Sequence, residues 1–190
     1  MFSKSTVARD FTIGLATDET TIRACAALRR RIFLSTYPEL TEWPSEPDVY
    51  DSSGGLFVVR AAQDIVGTAL IHIGRVEDGV PFWIDQFGIK VRDLLPWARG
   101  QRIAEIGRLA IEKRHIGQPL HVATALASKI SNFLNEAGVN TTVAVVFSET
   151  MLAFYRTLAA LTGASFRVHP IRQMFGLLQV TYIVVQLPDT

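Results

Sequence analysis

The sequence predicts an α+β fold, a mixed and mostly antiparallel sheet of about seven strands flanked by helices. Three observations lead to it. The stretch Ile103 to Ala137 opens as an apolar strand, passes through a short charged loop holding Gly117 and Pro119, and continues as an amphipathic helix. Strand-like and helix-like runs flank it in the order strand, helix, three strands, helix, strand, helix, two strands. The closing run, Leu178 to Leu187, carries a β-branched block from Val180 to Val185 broken only by Tyr182.

Taken in order, Phe11 to Ala16 reads as a first strand. A helix from Asp18 to Ser35 follows, with Asp18, Glu19 and Thr20 suited to its start and Ile22, Cys25, Leu28 and Ile32 forming a buried stripe. Its basic run, Arg29-Arg30-Arg31, suits a helix C-terminus and reads equally as a solvated turn or a surface for an acidic partner. Tyr37 to Gly55 is a loop rich in proline, serine and acid. Gly54 and Gly55 introduce a hairpin, Leu56 to Ala62 and Ile65 to Arg75, turning at Gln63-Asp64. Glu77 to Gly100 is a long irregular connection whose Phe82, Trp83, Phe87, Val91, Leu94, Leu95 and Trp97 are too apolar to be left exposed. It is either a lid on the core or a wall of an apolar ligand pocket.

In the central helix Pro119 fits the first turn, Val122, Leu126, Ile130 and Phe133 recur on one face, and Gly138 stops it. Thr141 to Phe147 is a buried strand, and Ser148 with Glu149 cap a helix from Thr150 to Leu161 that Gly163 ends. Ser165 to Ile171 and Leu178 to Leu187 are the closing strands.

At 190 residues, with 48% apolar and 19% charged side chains, the chain is expected to form one domain over 1–190. A net charge of +1 gives no pull toward nucleic acid or an anionic membrane. Cys25 is the only cysteine, which excludes an intrachain disulfide and any cysteine-built zinc site. No apolar run approaches the ~20 residues of a membrane span, and the N-terminus lacks a secretory core. The expected compartment is the cytoplasm, and no metal is expected, since His72, His115, His121 and His169 show no paired spacing.

The loop Arg114-His115-Ile116-Gly117-Gln118-Pro119 brings backbone N–H groups and the positive end of a helix dipole together, which suits a phosphate. An ordinary strand-to-helix connection has the same composition. Arg114 and Gly117, between the fourth strand and the following helix, resemble the pyrophosphate-binding signature of the GNAT acyltransferases, with Pro119 standing where a small residue is usual. The element order also resembles the GNAT fold. The resemblance implies a thioester donor held by Ile111, Lys113, Arg114, Gly117 and Gln118. It makes Tyr155, in the Phe-Tyr pair of the last helix, the match for a tyrosine that protonates the departing thiolate, although a core tyrosine reads identically.

A narrower resemblance joins Arg29 with Phe33, then Trp43, then Asp48 with Asp51, and finally Glu105 with Arg108. This order of residues is similar to that of the acyl-homoserine-lactone synthases and N-acyl amino acid synthases. The arginine usual after Val66-Gly67-Thr68 is absent, the chain running on to Ala69, Leu70 and Ile71. What the resemblance implies is transfer of an acyl group from acyl-coenzyme A or acyl carrier protein to a small amino-acid-like amine, as in autoinducer synthesis. The alternatives are an acetyl-coenzyme A N-acetyltransferase and a non-catalytic acyl-thioester sensor. In a regular strand Glu105 and Arg108 point to opposite faces, but Gly107 between them suits a bulge that returns both to one cleft. There Glu105 can act as general base and Arg108 as catalytic support, or the two can form a plain ion pair. Arg29, Phe33, Trp43, Asp48 and Asp51 would orient the acceptor, and Phe82 and Trp83 would receive an acyl tail.

Overall fold

The computed structural model describes residues 11–38, 43, 46–77, 82–112, 119–147, 149–175 and 178–187. Its strands are β1 (Phe11–Leu15), β2 (Gly55–Ala61), β3 (Asp64–Arg75), β4 (Arg102–Ile111), β5 (Thr141–Val146), β6 (Ser165–Phe175) and β7 (Leu178–Gln186). They form one seven-stranded sheet in the order β1-β2-β3-β4-β5-β7-β6. All neighbours are antiparallel except β4 and β5, which run parallel. This is the expected mixed sheet.

The helices are α1 (Glu19–Thr36), α2 (Val49–Ser53), α3 (Val91–Leu94), α4 (Pro119–Glu136) and α5 (Glu149–Thr162). Asp18 is the N-cap of α1, its carboxylate accepting from the Thr21 N–H and hydroxyl, each at 2.8 Å. Two regions expected to be irregular contain short helices. Asp48-x-x-Asp51 is a capping box that winds α2 out of the acidic loop. The aromatic connection holds a 3-10 turn at Trp83–Phe87, then α3, then a second 3-10 turn at Pro96–Ala98.

Alternation along the strands sends two apolar sets to opposite faces. Leu56, Val58, Leu70, Ile103, Val143 and Tyr182 pack with Cys25 of α1 and with Phe82, Trp83, Ile84 and Phe87 of the aromatic connection. Phe57, Val59, Ala69, Ile71 and Ala104 pack with Val122, Leu126, Ile130 and Leu134 of α4. The aromatic connection is therefore a lid on the α1 face.

Two departures from a regular sheet create the site. The first is a bulge. Thr68 pairs with Ala110 and Leu70 with Gly107, so β4 spends Arg108 and Leu109 against Ala69 alone. The positive φ falls on Arg108 itself, at 54°, one residue after the glycine. Leu109 then joins the α4 face while Ala110 joins Phe33 and Tyr37 on the α1 face. The second is a splay. β4 pairs with β5 only from Ile103 to Glu105 against Thr141 to Val143, and Ala144 to Val146 pair with β7 alone. Beyond Glu105 the β5-facing backbone groups of β4 have no ladder partner.

Candidate active site

Glu105 is 3% exposed and stands where the parallel pairing ends. Its carboxylate accepts the N–H groups of Trp83 at 2.7 Å and Ile84 at 2.8 Å, both at the start of the 3-10 turn. Burial pushes its carboxyl up to about 7, against the downward pull of those N–H groups and of Arg108. A carboxyl poised there accepts and returns protons near neutral pH.

The bulge delivers Arg108 to the same face. Its guanidinium pairs with Asp48 (Nη1–Oδ1 2.9 Å) and with Asp51 (Nη1–Oδ2 3.0 Å), and lies 5.4 Å from the ring centroids of both Tyr50 and Trp83. Its ion pairs are thus with α2 and not with Glu105. Arg29, 2% exposed, donates from Nη2 to both oxygens of Asp51 at 2.7 and 2.6 Å. Burial lowers the Arg29 pKa, and Asp51 opposes that fall. The capping box of α2 therefore has a second use, holding one carboxylate between two guanidiniums. Gly54 permits this close seat: a Cβ there would lie 2.7 Å from the Ile71 carbonyl oxygen. Asp48 is the partly open end of the network, its side chain 35% exposed. Burial pushes its carboxyl up, but the hydrogen bond and charge of Arg108 outweigh this and leave it below the usual value.

Phe33 and Trp43 meet at a tilt with centroids 4.4 Å apart, Trp43 meets Trp83 at 6.2 Å, and Phe147 closes the ring of aromatics against Trp83, Phe87 and Tyr37. Arg29, Phe33, Trp43, Asp48, Asp51, Trp83, Glu105 and Arg108 thus share one face. Phe82 is sealed in the core, 2% exposed and edge-on to His72 at 5.3 Å. Ile111 is half-buried on the α4 side, and its neighbour Glu112 pairs with Arg31. Lys113, Arg114, Gly117 and Gln118 lie outside the described residues.

On the opposite face, α4 and α5 enclose an apolar cavity of about 70 Å³ whose walls include Ile106, Leu109, Leu126, Ala127, Leu158 and Tyr155. Neither Phe82 nor Trp83 lines it. Tyr155 is 6% exposed, and burial, then the nearby Tyr37 and Glu105, push its phenol above the ordinary range. The tyrosine that walls the cavity therefore also feels the charge of Glu105. Sequence reasoning missed the cavity and Tyr50. The signal for the first was the small and apolar spacing of Ala123, Ala127, Ile130 and Leu134 along α4.

Among the described residues there is no cluster of three or more His, Cys, Asp or Glu that could hold a metal, and no helix long and apolar enough to cross a membrane.

The fold is similar to that of solved acyl-homoserine-lactone and N-acyl amino acid synthases and, to a like degree, of solved GNAT-family and other N-acetyltransferases. FeeM, an N-acyl amino acid synthase from uncultured soil microbes, superposes with a TM-score of 0.67 at 14% identity, over 95% of this chain and 92% of that one. The acyl-homoserine-lactone synthase LasI gives 0.69 at 14% identity over 95% and 91%. A Drosophila melanogaster polyamine N-acetyltransferase gives 0.62 at 13% identity over 94% and 100%. No family model matches the sequence, and no curated protein matches it.

Proposed function

We propose that this protein is an N-acyltransferase that moves an acyl group from an acyl thioester to the amine of a small amino-acid-like acceptor. The observation that carries this reading is the meeting of two half-sites at the splay of β4 and β5. Glu105 and the Asp48–Arg108–Asp51–Arg29 network occupy one side of the sheet, and an apolar cavity that Tyr155 helps to line occupies the other. A thioester lying in the splay has its carbonyl among unpaired backbone groups of β4, its tail directed under α4 and α5, and its sulfur toward Tyr155. The N–H groups of that edge are suited to an oxygen gaining negative charge.

Chemically, the acceptor ammonium meets Asp48, the partly open carboxylate. Glu105 removes a proton from it, and the freed amine attacks the carbonyl. Tyr155 protonates the leaving sulfur, a role that suits a phenol whose burial keeps it protonated. The expected result for Tyr155→Phe is a fall in turnover of about 10² with an ordinary alkyl thioester. The fall shrinks with an acidic thiol leaving group, which needs no proton. Equal losses with both thioesters would remove this role.

The donor is acyl-coenzyme A or acyl carrier protein, held through the loop after β4, and Arg30 and Arg31 on α1 suit the acidic carrier. A cavity of about 70 Å³ encloses roughly half the volume that holds a benzene ring, so the acyl group is short. That favours a second reading as well, an acetyl-coenzyme A N-acetyltransferase. Assay across acetyl, butyryl, hexanoyl and octanoyl thioesters separates them: the synthase reading expects butyryl or hexanoyl to exceed acetyl. Ala127→Phe, which fills the cavity, is expected to reverse that preference by tenfold or more, since one methylene in an apolar pocket is worth about 10–200-fold. The direct test is mass spectrometry of lipophilic extracts from bacteria expressing the wild type or Glu105→Gln. Acylated amino acids present only with the wild type support the proposal, and their absence despite folded protein points to an acyl-thioester sensor.

A further inference from the structure

In the chemistry above Tyr155 gives its proton to the departing sulfur once in every turnover and must regain it before the next. Its surroundings make that difficult. The phenol is 6% exposed, and the cavity it helps to line is apolar around Ile106, Leu109, Leu126 and Leu158. A phenolate left there is strongly disfavoured. A second phenol, Tyr37, stands on the α1 side of the splay.

Tyr37 closes α1, where its N–H donates to the Phe33 carbonyl at 2.9 Å. Its buried ring clusters with Phe33 and with Ala110 of β4, and lies edge-on to Phe147, 5.8 Å away, just past the end of β5. It therefore stands at the mouth that the divergence of those two strands opens. Its hydroxyl continues through to α5, donating to Met151 Sδ at 3.6 Å. Met151 precedes Tyr155 by four residues, so the two side chains are neighbours on one face of α5. Both join the apolar cluster of Ala144, Val146 and Leu152. A thioether is a weak acceptor, so it leaves the Tyr37 proton available for transfer. Met151 is itself half-buried, which keeps this end of Tyr37 within reach of water. After burial, Tyr37 is the neighbour that most raises the Tyr155 phenol, ahead of Glu105. The two hydroxyls are thus electrostatically joined, and a phenolate made more basic by burial takes a proton readily from a phenol beside it.

We infer that Tyr37 returns a proton to Tyr155, directly or through one water, across the mouth of the splay. The inference rests on the acyltransfer reading above. The amine lone pair forms the C–N bond while the carbonyl π pair moves to oxygen. Collapse reforms the carbonyl and breaks the C–S bond, whose electron pair leaves with sulfur. The Tyr155 O–H bond breaks as an S–H bond forms. The Tyr37 O–H bond then breaks, an O–H bond reforms on Tyr155, and Tyr37 takes a proton from solvent at its half-open end. Glu105 passes to solvent the proton it took from the ammonium, and the second nitrogen proton follows it there. Thioester and ammonium thus give amide, thiol and one proton. Tyr37 acts through Tyr155, touches none of the reacting atoms, and is a positioning residue for the proton of the general acid.

The test separates the first turnover from those that follow. Thiol release from butyryl-coenzyme A, with a mixture of free L-amino acids as acceptor, is followed before and during the steady state. Tyr37→Phe keeps the ring contacts and removes the hydroxyl, so its melting temperature is expected to stay close to that of the wild type. Its first turnover is expected to run at the wild-type rate, because Tyr155 starts protonated. Later turnovers are expected to fall about tenfold, part of the usual general acid–base contribution. Tyr155→Phe is expected to be slow from the first turnover, and the double variant to be no slower than Tyr155→Phe alone. With the butyryl thioester of an acidic aromatic thiol, whose sulfur leaves without a proton, Tyr37→Phe is expected to match the wild type throughout. A steady state of Tyr37→Phe equal to the wild type overturns the inference, since Glu105 or water then reloads Tyr155, and leaves acyltransfer intact. An equal loss with both thioesters from the first turnover also overturns it, and marks Tyr37 as a wall of the cleft. A wild type that releases thiol from neither thioester overturns the acyltransfer reading, and the relay with it.

Discussion

Replacing Glu105 with glutamine is expected to lower kcat by about 10²–10⁴, the range for loss of a positioned general base. The same substitution has a signature in stability that no surface carboxylate produces. Burial raises the Glu105 carboxyl from 4.5 to about 7 in the folded protein, so between those values the folded state binds more protons than the unfolded one. Stability therefore falls as pH rises through that interval, by about 3 kcal/mol from this group. Glutamine cannot ionise and removes the slope. It also turns an amide NH₂ toward one of the backbone donors that Glu105 satisfies, at a cost of about 1–3 kcal/mol. The variant is thus expected to be less stable than the wild type at pH 5 and to close the gap by pH 8. In the wild type, kcat/KM is expected to rise with pH through about 7. Denaturant melts at both pH values and a pH–rate profile check these outcomes. Parallel stability curves for the two proteins would mean that Glu105 titrates as an ordinary carboxyl.

The fold was legible because its signals are local. The order of elements, the Pro119 start and Gly138 stop of α4, and the β-branched run of β7 each follow from backbone and periodicity rules. The bulge was legible as an event but not as a position, since glycine suggested it at Gly107 and the structure places the positive φ on Arg108. Steric preference argues against arginine there. The ion pairs and ring contacts that hold this guanidinium come from residues 48 to 83 and are invisible to local rules. The capping box Asp48-x-x-Asp51 could have been read directly as a helix start, and would have predicted α2. The small and apolar spacing along α4 hinted at the cavity, but its size could not have been read, because it depends on how far β4 and β5 diverge and on how α4 and α5 lean together.

Asp51→Ala is expected to cost about 3–5 kcal/mol, the penalty for leaving a buried charge without its partner. Asp51 is the only anion to which Arg29 donates among the described contacts, through both of its oxygens, and both side chains are fully enclosed. Removing the carboxylate strands the Arg29 guanidinium, whose Nη1 already lacks a partner. Arg108 fares better, since Asp48 remains. A domain of ordinary stability has about 5–15 kcal/mol in hand, so the variant stands near unfolding, and its lost activity says nothing by itself about chemistry. The double variant Arg29→Met with Asp51→Ala resolves this, because it removes both charges together. It is expected to recover most of the stability, as apolar replacements of buried ion pairs do, and to retain the bond between Arg108 and Asp48. If the double variant folds but does not turn over, Arg29 and Asp51 act on the acceptor. If it folds and works, they are scaffolding for α2, and the functional end of the network is Asp48 with Arg108. Should Asp51→Ala alone cost less than about 1 kcal/mol, Arg29 finds another partner or water, and the buried network is not what seats α2 over the sheet.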